Sequence, residues 1–475
     1  MAKPYRMRVR MYNVGFGDCF LLTFFYRSKA RPERHVLIDF GWTSGPANRK
    51  KTTLAEVAGK IKEATAGRLD AVVATHRHAD HISGFTPKKG KGPGDIIAGI
   101  SQNALIVQAW TEDPKLPVKA RAPGKPLKGA KALSAMHVRS LDDMHSVAAA
   151  IVNRARGLQP EQMDAEVVEE KSFLPARDSG GDTDKDNDGD GDGIGDQAAF
   201  RQLGVGKELR ERLAFLGETN LKNAAAVKNL IAIGKRHEYL SYGAKSDLAG
   251  KVLPGVKVHV LGPPTIEQHE EVLEQRSTDA TEFWHLQAAA SRAVGRRSAG
   301  KLFPHAPSVQ GAYPQAARWF VRRVRAIHAQ QLLELVRIVD DAMNNTSLIL
   351  LFEAGDKLLL FSGDAQIENW EYVLQHAKNA KKQRALLSQV QLYKVGHHGS
   401  LNATPKTLWK LFKRKGSLVS LMSTRPGKHG STRSQTEVPR RTLIAALDER
   451  KKLRRTDKLS GKRGETLFDE VMFEL

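Results

Sequence analysis

Four potential metal ligands lie within six consecutive residues, in the run His76-Arg77-His78-Ala79-Asp80-His81. The apolar, β-branched stretch directly before them, residues 69–75, predicts a buried strand. The first two histidines, two residues apart at a strand end, can point at one ion. The Asp-His pair that follows, after the chain turns, can face a second ion beside it. The spacing therefore predicts hydrolytic chemistry at a pair of metal ions.

Four further stretches accompany this run in a recognisable order. Residues 12–19 and 37–41 precede it, and residues 358–364 and 394–400 follow it. Together with the His-x-His-x-Asp-His run they resemble the metallo-β-lactamase superfamily, in the branch that contains the soluble domain of ComEC-type competence DNA-uptake proteins. The resemblance covers about residues 5–110 and 252–475. It implies an α/β fold, the αββα sandwich in which two mixed sheets face each other with helices outside.

The resemblance also implies a set of ligands for two divalent ions, either zinc or manganese and magnesium. The first ion would be held by His76 and His78, the second by Asp80 and His81, and Asp364 would bridge the two ions. Of these, Asp80, His81 and Asp364 would act directly in catalysis.

Two histidines near the end of the chain compete for the last ligand position of the second ion. His397, at the end of a predicted strand at residues 391–395, is the expected ligand. His398 is the alternative, or a catalytic acid or substrate contact. Asp39 would orient a histidine ring from behind, or would only form a turn at a strand end. Asp18 has the same two interpretations.

One ligand of the superfamily pattern is missing. Many members have another histidine before the penultimate hairpin, where this chain has Asn344 and Asn345. Either amide could reach the first ion or hold substrate. A site with two imidazoles would bind zinc less tightly and would favour manganese or magnesium with oxygen-rich coordination. Lys394 and Ser400 flank the histidine pair and could contact a phosphate, or could simply fill the surface.

The net charge of +23, with a pI near 9.9, favours a polyanionic partner such as nucleic acid. The alternative is a charged surface that serves solubility. The charge is unevenly distributed, because residues 401–475 hold 18 Lys and Arg against 8 Asp and Glu, and residues 86–131 hold nine against three. The distribution favours a nucleic-acid partner, and the resemblance to ComEC-type domains implies DNA before RNA.

The chain is expected to divide into three regions. Residues 1–140 would form the first half of the sandwich. Residues 141–250 would form a helical insertion, because apolar residues recur there at intervals of three and four residues. Residues 251–475 would form the second half, with a helical excursion at 265–340 and a basic C-terminal region.

The predicted insertion contains an acidic segment, residues 178–196, with eight aspartates and one lysine. Its spacing fits a calcium loop formed by Asp184, Asp186, Asp188, Asp190, Asp192 and Asp196, although the bidentate Glu of such loops is absent. The other interpretations are a solvated linker and a nucleic-acid mimic that restrains the enzyme until a regulatory partner or protease displaces it.

Cys19 is the single cysteine, which excludes an internal disulfide, and no apolar run is long enough for a membrane span. The expectation is a cytoplasmic protein without membrane contact, so DNA import through a channel is not expected. The leading hypothesis is a metal-dependent nuclease that hydrolyses DNA with a metal-activated hydroxide, suited to bacterial defence. The alternatives are a hydrolase of a cyclic nucleotide or other small molecule, and a degenerate binding or regulatory module.

Overall fold

The computed structural model describes residues 3–116, 121–124, 223–269, 344–400, 404–413, 416–429, 437–449, 451–459 and 467–475. These residues all belong to one of the two compact units into which the chain divides. The acidic segment at 178–196 and most of the predicted insertion and excursion lie outside the described residues. So do the calcium-loop aspartates.

Within the described ranges, seven strands form the first sheet, in the spatial order β13-β1-β2-β3-β4-β5-β6. The strands are β1 (Pro4–Tyr12), β2 (Cys19–Tyr26), β3 (Glu33–Phe40), β4 (Ala71–Val73), β5 (Leu105–Ala109), β6 (Arg236–Leu240) and β13 (Phe468–Glu474). The strands from β13 to β3 pair antiparallel, and those from β3 to β6 pair parallel. The sheet is therefore mixed, as predicted.

The second sheet has six strands in the described part of the chain, in the order β12-β11-β10-β9-β8-β7. They are β7 (Val256–Gly262), β8 (Ile349–Ala354), β9 (Lys357–Phe361), β10 (Leu392–Lys394), β11 (Val419–Met422) and β12 (Leu453–Arg455). The sequence predicts a hairpin of strands at 347–353 and 357–362 that turns at residues 354–356. It is confirmed as β8 and β9, which pair antiparallel, whereas β9 to β12 run parallel.

Eight α-helices are described, several of them short. They are α1 (Leu54–Ala64), α2 (Ala79–Ile82), α3 (Pro93–Ile100), α4 (Ala224–Ala232), α5 (Ile367–Glu371), α6 (Ala380–Leu387), α7 (Lys406–Leu411) and α8 (Arg441–Asp448). The sequence predicts a helix over residues 54–66, capped by Thr52 or Thr53, and this helix is confirmed as α1. It begins where the Thr53 hydroxyl accepts a hydrogen bond from the Glu56 amide, which satisfies one free N–H of the first turn.

Side chains alternate between the two faces of each strand, and this alternation builds a layered core. Met7, Phe24 and Ile38 of the first sheet belong to one buried cluster with Phe352 and Phe361 of the second. The opposite faces are covered by helices. On the first sheet, residues such as Leu37 and Val72 pack with α1, α3 and α4, and on the second sheet Leu351 and Tyr393 pack with α5 to α8. The described layers are those of the predicted αββα sandwich.

One predicted boundary needs correction. Residues 224–232 form α4, which packs on the first sheet, and residues 236–240 form β6, the parallel neighbour of β5. The sandwich has thus resumed by residue 224, and an insertion that reaches residue 250 is too long. The helical periodicity that suggested an insertion here belongs to a helix that covers the main sheet.

Candidate metal centre

The candidate ligands come from loops that follow three strands. The His76 to His81 run follows β4, with Asp80 and His81 on α2, whereas Asp364 follows β9 and the histidine pair follows β10. Two glycines allow these loops to approach. A Cβ on Gly41 would lie 2.4 Å from the Ala79 carbonyl oxygen, and one on Gly363, where φ is +50°, would lie 2.9 Å from Thr75 Cβ. The ligand loops therefore meet at one rim of the sandwich.

His76 and His78 form one half of the site. Their Nε2 and Nδ1 atoms lie 3.0 Å apart, and both rings are buried. Burial, assisted by the neighbouring histidines, lowers the pKa of His76 well below its ordinary value, and burial also lowers that of His78. Both rings are therefore held in the neutral form, which is the form that binds metal.

Four side chains form the other half, and each offers one ligand atom within 4.8 Å of the others: Asp80, His81, Asp364 and His398. Asp80 Oδ2 lies 3.0 Å from His398 Nε2, and His81 Nε2 lies 3.0 Å from Asp364 Oδ2. All four residues are buried. The pKa of Asp364 is held well below its ordinary value: burial opposes this, but the His81 imidazole and Lys394 outweigh it. The carboxylates are therefore charged and able to bind cations.

The structure places His398, not His397, in this cluster. The His398 ring is fully buried, whereas the His397 ring is 26% exposed and its Nε2 lies 4.0 Å from Asp364 Oδ2. Both residues have positive φ, 43° and 51°, so the chain turns sharply after β10 and directs the second ring inward. Strand alternation could not predict this turn. His397 contributes instead through its backbone, whose N–H donates to Asp364 Oδ1 at 3.0 Å.

Asp39 lies behind the ligands. Its carboxylate accepts hydrogen bonds from the Thr75 backbone N–H at 2.7 Å, the Thr75 hydroxyl at 2.8 Å and His81 Nδ1 at 2.8 Å. The Thr75 hydroxyl in turn lies 3.2 Å from His76 Nδ1 and can accept its proton. Asp39 therefore directs Nε2 of His81, and through Thr75 Nε2 of His76, toward the interior of the site.

His398 is oriented in the same way by a different group. Its Nδ1 donates to the Ser423 carbonyl oxygen at 3.0 Å, which leaves Nε2 directed at Asp80. Thus three of the histidines present Nε2 to the interior of the site because their Nδ1 atoms are bonded behind it.

Lys394 does not lie on the surface where it could meet a phosphate. Its side chain is 2% exposed, and its ammonium group forms a close ion pair with Asp18. It also donates to the Gly363 carbonyl oxygen at 2.9 Å and lies 3.3 Å from Asp364 Oδ1. Burial lowers the pKa of this lysine, but Asp18 and Asp364 outweigh that effect and raise it above its ordinary value. Lys394 is therefore a buried cation.

The two asparagines have different surroundings. The Asn345 amide oxygen accepts from Asn369 Nδ2 at 3.3 Å. The Asn344 amide is fully buried, and neither its nitrogen nor its oxygen has a hydrogen-bond partner among the described residues. The Asn344 carbonyl accepts from the Ser347 N–H, and the Ser347 hydroxyl accepts from the Asp364 N–H at 3.2 Å. Asn344 is therefore tied to the ligand loops. Ser400 is buried and its N–H closes the turn onto the His397 carbonyl.

Sequence reasoning missed the residues that support the ligand loop from the side. Arg77, between the two histidines, donates to the buried carboxylate of Glu112 at 2.9 Å. The Asn223 amide donates to the Arg77 carbonyl at 2.7 Å. Neither partner had a sequence signal, since Asn223 is 146 residues away from Arg77.

An aromatic side chain and a further histidine adjoin the cluster. The Phe16 ring lies between His398 and His429, with centroid distances of 4.3 and 4.4 Å. Burial lowers the pKa of His429 to about 4. The Gly15-Phe16-Gly17 sequence could have indicated a close approach here, but no pattern indicated its partner.

Two observations show that the site fits divalent ions. Within the part of the chain that the structure describes, Asp80 Oδ1 and both amide atoms of Asn344 are buried without hydrogen-bond partners, a costly arrangement unless an ion or a water molecule completes it. The donors are also of the right kind, because imidazole nitrogens and carboxylate oxygens together suit zinc and manganese. The residues that would hold the ions are His76, His78, Asp80, His81, Asp364 and His398.

Comparison with known families agrees with this geometry. Residues 12–95 match the family model of the Metallo-beta-lactamase superfamily. No curated protein matches the sequence. The match and the two mixed sheets flanked by helices define a metallo-β-lactamase domain. This superfamily consists mostly of metallo-hydrolases, which indicates a metal-dependent hydrolase. In the described part of the chain, no helix has the length and apolar character needed to cross a bilayer.

Proposed function

We propose that this protein is a metal-dependent nuclease that hydrolyses DNA. The observation that carries the proposal is the buried His and Asp cluster at the rim of the sandwich, in a chain whose net charge is +23. The motifs that resemble ComEC-type domains support the same substrate class. We also propose that the nuclease serves in bacterial defence and that residues 178–196 restrain its activity.

The chain's own residues account for the binding and orientation of the ions. When bound, two divalent ions would polarise a phosphoryl oxygen and lower the pKa of a water molecule. His76 and His78 would hold one ion, and Asp80, His81 and His398 would hold the other, with Asp364 available to both. Asp39 and Ser423 fix the ring orientations behind them.

Exposed lysines next to the ligand loop supply the expected contacts to the phosphate backbone. Lys88, Lys89 and Lys91 are exposed in the segment that follows α2 and its succeeding turn. Lys428 is also exposed, directly before His429. A cationic segment beside a hydrolytic site attracts a polyanion and holds its backbone near the ions. This arrangement favours a nucleic acid over a neutral small molecule.

Nuclease activity is tested with plasmid and linear DNA, each incubated with Mn²⁺, Mg²⁺ or Zn²⁺. We expect cleavage with at least one ion, and its loss in the Asp80→Ala, His81→Ala double variant. If the wild-type protein binds metal but cleaves neither DNA form with any ion, the DNA substrate is wrong. Cleavage that survives in the double variant would come from a contaminant.

The role of the lysines is tested through the salt dependence of DNA binding. We expect the triple variant with alanine at Lys88, Lys89 and Lys91 to bind DNA more weakly. The slope of the logarithm of its binding constant against the logarithm of the salt concentration should become less steep by up to about 0.9 for each phosphate contact removed. The matched control replaces Lys62 in α1, Lys251 before β7 and Lys257 at the start of β7, three exposed lysines outside the ligand loops, and removes the same charge. Equal effects of the two triple variants would contradict a phosphate-binding segment beside the site.

A further inference from the structure

Lys394 has an unusual position. Among the described residues it is the only buried lysine. Its ammonium group has three N–H donors, and three acceptors surround it: the Asp18 carboxylate, the Gly363 carbonyl oxygen and Asp364 Oδ1. The donors are thus saturated by protein groups, and none is left for a substrate.

This contact distinguishes the two oxygens of Asp364. Oδ1 receives the Lys394 ammonium group at 3.3 Å and the His397 N–H at 3.0 Å. Among the described residues, only His81 Nε2 lies within hydrogen-bond distance of Oδ2, at 3.0 Å, and His81 is itself a candidate ligand. A carboxylate held on one oxygen by two donors cannot rotate freely, so a single oxygen remains for the ions.

Asp18 fixes the lysine in turn. Its carboxylate is buried and pairs with Lys394, and its backbone N–H donates to the Asp80 carbonyl at 2.8 Å. Asp18 therefore connects the lysine to the loop that carries the ligands of the second ion.

We propose that Lys394 is the positioning residue of Asp364, and that Asp18 holds Lys394 in place for this purpose. The inference rests on the metal-binding part of the proposed function and is independent of the DNA substrate. Lys394 orients the shared carboxylate so that only Oδ2 reaches the ions, and it offsets part of the charge of Asp18, Asp39, Asp80 and Asp364, which are all buried around the site.

Removal of the lysine alone gives a mixed result. Lys394→Met removes the closest counter-charge of the buried Asp18 and leaves only the His81 and His398 rings, 3.7 Å away. We therefore expect the Tm of the metal-free protein to fall by roughly 5 to 10 °C. The less well paired carboxylate also attracts cations, which opposes the loss of orientation. The metal affinity of Lys394→Met therefore cannot distinguish the effect of the lost charge from the effect of the lost orientation of Asp364.

The decisive variant is Asp18→Asn combined with Lys394→Met, because it removes one negative and one positive charge and keeps the net charge of the site. Titration calorimetry with Mn²⁺ and Zn²⁺ gives the affinities, and thermal unfolding of the metal-free protein gives the Tm. We expect the Tm to recover most of the loss seen in Lys394→Met, while the more weakly bound ion still binds about 10- to 100-fold less tightly than in the wild type.

Wild-type affinity for both ions in the double variant would overturn the inference and leave Lys394 a purely structural residue. Arg34→Met is the control, since it breaks the partly buried Arg34–Asp70 pair at the other end of β4 and should lower the Tm alone. If the double variant does not fold, Asp18→Asn with Lys394→Gln is held to the same criterion. A wild-type protein that binds no divalent ion would instead refute the metal centre itself.

Discussion

The Asp39→Asn variant tests how the ligand histidines are oriented. The Asp39 carboxylate accepts three hydrogen bonds, two from Thr75 and one from His81 Nδ1. An asparagine has the same shape but carries an NH₂ group in place of one oxygen. If the NH₂ group faces His81, the ring proton must move from Nδ1 to Nε2, and Nε2 can no longer bind a metal ion. If it faces the Thr75 backbone N–H, two donors oppose each other.

In the first orientation both ions are disturbed, because the replaced oxygen is the one that accepts from His81 Nδ1 and from the Thr75 hydroxyl beside His76. In the second orientation the opposed N–H groups displace Thr75 and, with it, the ligand run that follows directly. The loss of one outer hydrogen bond to a ligand commonly weakens metal affinity about 10- to 100-fold. That corresponds to about 1.4 to 2.7 kcal/mol of binding free energy. We therefore expect the Kd of both ions to rise by at least tenfold, measured by titration calorimetry and by the metal content after dialysis.

Asp70→Asn is the matched control for this variant. Asp70 is also buried and accepts a backbone N–H, that of His35, at 2.9 Å, but it lies before β4 and not after it. Its replacement should lower the Tm and leave the metal affinities unchanged. The reasoning is refuted if Asp39→Asn retains wild-type Kd values, or if both variants weaken metal binding equally.

Three further predictions concern other parts of the molecule. Asn344→His should raise the affinity for Zn²⁺ relative to Mn²⁺ in competition titrations, because an imidazole replaces an unpaired amide; Asn345→His, at an amide already bonded to Asn369, should not. Since the folded-state pKa of His429 is about 4, below the ordinary value of 6.5, the unfolded chain takes up a proton first as the pH falls. The wild-type Tm should therefore decrease between pH 7 and 4, and more steeply than that of His429→Gln. Deletion of residues 178–196 should raise the rate of DNA cleavage, and an unchanged rate would exclude restraint by this segment.

Some elements followed from local sequence because local forces determine them. The β-branched run before His76 forms β4, the periodic residues after Thr53 form α1, and the turn at Gly355 joins β8 to β9. By contrast, β6 was missed. Its sequence, residues 236–240, carries mostly polar side chains, and only its pairing with β5 defines it as a strand.

The sequence by itself determined the class of chemistry, because three histidines and one aspartate in six residues have few uses other than metal binding. Only the tertiary structure decided which of His397 and His398 faces the site, that Lys394 is buried against Asp18, and that Asn344 lacks a partner where Asn345 has one. These properties depend on a backbone turn with positive φ and on contacts between residues far apart in the chain. Neither leaves a periodic signal in the sequence.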